Sequence, residues 1–165
     1  MPSPTELLAI YLRHHTVAAK GGEEFFARAA EGATNPVIQE TLTELAAEVA
    51  DDRQSLLAIL ERLDIPQPAV GEQLASLGEK VGRLKPNGSL TQRTPLTQVV
   101  ELEGAADAVQ AKRLGWVTLR EIAASEPRLD SAELDTLVQR ADSQLERLEG
   151  LRQAAVLLAF TPQQG

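Results

Sequence analysis

The chain has 165 residues and no cysteine, which excludes disulfides, thiol catalysis and Cys-built zinc or iron–sulfur sites and fits a reducing compartment. Its 16 Lys and Arg against 24 Asp and Glu leave a formal net charge of −8, a balance that argues against nucleic acid or an anionic membrane surface as the main partner. Ala, Leu and Glu are abundant, aromatics are few, and no stretch alternates like a strand, so the class is all-α with a single domain over 1–165.

The first helix is marked by Ser3 as N-cap, Pro4 as first helical residue and Glu6 as the reciprocal partner of a capping box. Leu8, Tyr11, His15, Ala18, Gly22, Phe25 and Ala29 then follow steps of three and four to about residue 31. Gly21 and Gly22 interrupt this helix; they read as a close helix crossing or local bend, the alternative being space for a substrate. After "GATNP", Asn35 or Thr34 caps a second helix carrying Ile38, Leu42, Leu45, Val49, Asp52, Leu56, Ile59 and Leu63 on the same rhythm, ended by Pro66 and Pro68.

Residues 64–94 form a long connection, predicted to hold one short helix over "PAVGEQLASLGEKVGRL" before an irregular stretch, "KPNGSLTQRT". The third helix starts near Pro95 and runs toward Pro127. The fourth starts at Asp130 or Ser131 and runs to about Phe160, on a stripe of Leu134, Val138, Ala141, Leu145, Leu148, Leu151, Ala155 and Leu158. The short links make two antiparallel hairpins, and the long one is a crossover, so the expected fold is a four-helix up-down bundle. "MPSPTELLAI" lacks the basic start and apolar run of a signal peptide, and "AAVLLAF" is too short to span a bilayer; a cytoplasmic protein without membrane attachment is expected.

With "YLRHH" at 11–15 and "GEKVGRLKPNG" at 78–88, the chain resembles the ferritin-like superfamily, in particular a branch of small bacterial helical proteins to which the resemblance brings no activity. The resemblance implies a central di-metal site built from one Glu on each of two helices and a Glu-x-x-His on each of the others. Both histidines, His14 and His15, lie on the first helix, and "EVAD" and "ERLE" stand where that motif is expected, so its ligands are degenerate.

Polar residues nevertheless interrupt the seams at mid-height. His15 and Asp52 are expected at nearly the same level, roughly 3 Å apart along the helix axes. On the third helix, Glu103, Asp107 and Gln110 stand between Leu96, Val100, Leu114 and Val117 on one stripe. The candidate metal ligands are therefore His15, Asp52, Glu103 and Asp107, with His14 and Glu48 as further candidates, and iron or manganese as the ions that oxygen-rich ligation favours. The preferred expectation is a His15–Asp52 pair in a structural polar centre that fixes register. Asp142, Glu146 and Glu149 are expected to form a solvated stripe with Arg140, Arg147 or Arg152, and Trp116 to pack. The function expected is a non-catalytic structural or interaction module, a homodimer through the apolar width of "VTLREIAA" and "AAVLLAF". The alternatives are a metal-dependent redox protein and a small-molecule binder whose pocket is the glycine-lined gap.

Overall fold

The computed structural model describes residues 1–68 and 93–162, which hold four α-helices and no strand. These are α1 (Pro4–Gly32), α2 (Pro36–Arg62), α3 (Pro95–Ile122) and α4 (Ser131–Phe160). Local chemistry sets their starts. The Ser3 hydroxyl accepts from the Glu6 N–H, and the Glu6 carboxylate accepts from the Ser3 N–H, completing the capping box. Asn35 and Asp130 each accept from two backbone N–H groups at the starts of α2 and α4, and Pro opens α1, α2 and α3.

The end of α2 is as well defined. Asp64 adopts φ 56°, in the left-handed region, while the Ile65 N–H reaches back to the Leu60 carbonyl at 2.9 Å. Pro66 then prevents any return to the helix. The predicted short helix and the "GEKVGRLKPNG" segment fall on residues 69–92, outside those described.

Packing is closest within the hairpins α1–α2 and α3–α4, while α1 meets α3 and α2 meets α4 more sparsely. Across the α1–α3 seam, Tyr11 Oη lies 3.2 Å from Thr118 Oγ1 and Phe25 sits beside Gly104, so those helices are antiparallel. Across the α2–α4 seam, Arg62 pairs with Glu133 and Glu48 with Arg147, again antiparallel. It follows that α2 and α3 run in the same sense. Asp64 stands by Arg128, next to the α3–α4 turn, whereas Arg93 lies against Gly32 at the far end.

The core is one continuous cluster in which Leu12, Phe26, Leu42, Leu45, Ile59, Leu102, Leu119, Leu134 and Leu148 are essentially fully buried. Among the described residues, no helix is long and apolar enough to cross a membrane. The α3 face that turns inward is Val99, Leu102, Ala105, Val109, Trp116 and Leu119. Of the expected seam, Leu96, Val100, Glu103, Asp107, Gln110 and Leu114 are exposed and Val117 is half-buried. The reason is that this row carries three polar residues at its centre, whereas the inward row is broken by Lys112 alone, and Gly115 on the inward side lets His15 of α1 approach.

Candidate functional site

Asp52 is drawn into the bundle by its place in the α2 stripe, one turn from Val49 and Leu56, and is only 1% exposed. A carboxylate so placed needs compensation. It receives a hydrogen bond from the Lys112 ammonium on α3, and Arg140 on α4 brings its Nη2 to 2.5 Å of the other oxygen as an off-axis ion pair. Gln144, fully buried on α4, ties the group together: its Oε1 accepts from Lys112 at 2.6 Å, and its Nε2 donates to Asp52 at 3.1 Å and Glu48 at 3.0 Å. Arg147 completes the network with a 2.5 Å bond to Glu48.

Burial pulls the Lys112 ammonium below the ordinary lysine value, against the opposing attraction of Asp52. Glu48 is pushed up by burial but held net below the ordinary carboxylate value by hydrogen bonds from Arg147 and Gln144 and by the charges of Arg147 and Arg140. Asp52, Glu48 and Glu44 thus face Lys112, Arg140 and Arg147, and the network spans the thin α2–α4 seam with long polar side chains.

Beside this cluster lies a cavity of about 190 Å³ between α1, α2 and α3, partly open to solvent. Leu12, Phe26, Val49, Leu56, Val109 and Leu119 give it an apolar wall, and Ala18, Ala19, Gly22, Ala108 and Ala111 are too small to fill it. A Cβ on Gly22 would have nothing within 4 Å. Gly22 therefore marks open space, which corrects the expectation of a tight crossing. Gly115 does the opposite: its missing side chain lets the His15 ring lie against the α3 backbone, where a Cβ would stand 2.9 Å from His15 Cε1. Tyr11 packs against that ring at a tilt, with centroids 4.6 Å apart. Burial, and secondarily the neighbouring His14, hold the His15 pKa below the ordinary value, favouring a neutral imidazole.

Two residues that line the cavity carry unmet donors. Trp116, 3% exposed, has an indole N–H with no hydrogen-bond acceptor among the described residues. The Nε of Arg53 is likewise buried without an acceptor, the nearest ion-pair partner, Glu23 Oε2, lying 3.6 Å away.

Compared with protein-family models, curated proteins and solved structures, the chain matches none. The site is therefore read from its own chemistry.

The residues expected to converge are not brought together as a ligand set. His15 and Asp52 line one cavity, yet Asp52 is taken up by Lys112, Arg140 and Gln144 rather than by His15. Glu103 and Asp107 are exposed on the outer face of α3, His14 is an exposed residue at the cavity edge, and Glu48 is committed to Gln144 and Arg147. Among the described residues, no three His, Asp or Glu side chains are grouped to share one ion. Cationic side chains stand against Asp52 where the expected cation would have to bind, so the donor set does not fit the iron or manganese centre that the resemblance implies.

The acidic stripe on α4 also divides differently than expected. Glu149 does pair with Arg152, but Arg140 and Arg147 turn inward, and Asp142 is bound by Arg113 of α3. Lys112 and Gln144 had a readable signal. Each sits at a three–four step within an apolar row, Lys112 between Val109 and Trp116, and Gln144 between Ala141 and Leu148.

Proposed function

We propose that this protein is a non-catalytic binding module with the ferritin-like order of helices, and that its cavity takes one small molecule with an apolar body. The helix senses support the ordering: two antiparallel hairpins with α2 and α3 parallel are what a single long crossover produces. The ionic cluster is the structural centre of the module, since its groups are occupied with one another rather than free for proton transfer or nucleophilic attack. The absence of cysteine fits work in the reducing cytoplasm.

One observation carries the binding reading: a bundle otherwise packed around fully buried leucines leaves a cavity of about 190 Å³ beside a glycine whose missing side chain meets nothing. A pocket of this size, open to solvent along one side, leaves the apolar groups that line it short of contacts. An occupant restores them. The test is thermal unfolding with and without toluene, in the wild type and in Gly22→Leu, whose side chain occupies the space. The expected result is a higher midpoint with toluene in the wild type only, about 2.7 kcal/mol of stabilisation at a concentration 100 times Kd. No toluene response in the wild type, or the same response in G22L, sinks the reading.

A further inference from the structure

The chemistry of the cavity wall narrows its occupant, and the narrowing rests on the binding reading above. We infer that the ligand is a small monoanion, one ring or a short chain ending in a carboxylate or similar acceptor group, with its charged end toward Lys112, Arg53 and Trp116.

Size sets the first limit. An engineered apolar cavity of about 150 Å³ admits benzene, so about 190 Å³ suits a ring with one small substituent. Hydrogen bonding sets the second. Two donors on cavity-lining residues, the Trp116 indole N–H and the Arg53 Nε–H, are buried without a hydrogen-bond acceptor, Arg53 having only the Glu23 carboxylate at 3.6 Å. The acceptor on the same wall is Asp52, whose Oδ2 takes hydrogen bonds from Lys112 and Gln144 and whose Oδ1, without a hydrogen bond, is faced by the Arg140 guanidinium at 2.5 Å. A ligand that brings a donor finds its acceptor taken, whereas a ligand that brings an acceptor relieves a standing deficit.

Charge sets the third limit. Of the charged residues lining the cavity, Lys112 and Arg53 are cationic and Asp52 alone is anionic, while behind the wall Arg147 is paired with Glu44 and Glu48. That local excess of one cation at the wall favours an anionic group there. The apolar wall of Leu12, Phe26, Val49 and Leu119 takes the remainder of the molecule.

The chain contains one tryptophan, so a ¹H–¹⁵N spectrum of the whole protein has a single indole signal, and it belongs to Trp116. That signal is followed while benzoate, toluene or benzylamine is added. Benzoate is expected to move the indole proton downfield, as a new acceptor does, and to bind about tenfold more tightly than toluene and benzylamine. Lys112→Met is expected to weaken benzoate by about tenfold and leave toluene within about twofold. Asp52 keeps Arg140 and Gln144 in that variant, and Arg53→Met provides an independent second test of the same loss. If toluene or benzylamine binds as well as benzoate, or if neither variant weakens benzoate, the inference is overturned while the cavity stands. If no probe moves the indole signal, both are overturned.

Discussion

Asp52 shows how much a single residue can disclose and conceal. Its place in the α2 stripe, spaced from Val49 and Leu56 by one turn, made its burial legible, and it is 1% exposed. Its partner was not legible, because the compensating charges come from two other helices, and their long stems let Lys112 and Arg140 reach inward from half-buried backbone positions. Histidine at the same height was the nearer candidate by axial position, but the missing side chain of Gly115 seats its ring against α3 instead. The network makes a definite asymmetry. Asp52→Ala leaves Lys112 and Arg140 together without their anion and is expected to cost about 3 kcal/mol. Lys112→Met leaves Asp52 paired with Arg140 and hydrogen-bonded to Gln144, and is expected to cost at least about 2 kcal/mol less than the aspartate variant. Urea unfolding of both variants checks the order, and equal losses contradict it.

At the scale of elements, capping chemistry and three–four periodicity located the four helices of the described residues. Ser3, Asn35 and Asp130 cap as their positions led one to expect, and Pro95 opens α3. On α3, hydropathy does separate the two stripes: the buried row of Val99, Leu102, Ala105, Val109, Trp116 and Leu119 is broken by Lys112 alone, whereas the expected row carries Glu103, Asp107 and Gln110. Gly115 adds a demand of size, letting the His15 ring of α1 come near, and that demand appears only when helices are considered together. The cavity on α1 arises from the same cause in reverse, where Ala18, Ala19 and Gly22 retreat and nothing advances. Gly22→Ala tests this directly. With no atom within 4 Å of the new Cβ, the helix gains the propensity difference alone, so the variant is expected to be more stable by about 0.5–1 kcal/mol. Thermal unfolding measures it, and a destabilised variant would mean that α1 is crossed closely at Gly22.

Taken whole, the molecule is two tight hairpins joined through a thin seam on each side, one seam closed by an ionic network and the other opening into an apolar cavity. All-α class and four helices follow from composition and periodicity. The cavity does not, since a void is a property of three helices and has no letters of its own; only Gly22 hinted at it. Binding there requires that the space receive an apolar body. Xenon, which enters apolar cavities of this size, reports on that directly. In crystals held under xenon, the account predicts an ordered xenon atom between α1, α2 and α3, in contact with Trp116 and beside Gly22. Side chains collapsed into that space, or a chain of ordered waters hydrogen-bonded across it with no xenon, would contradict it.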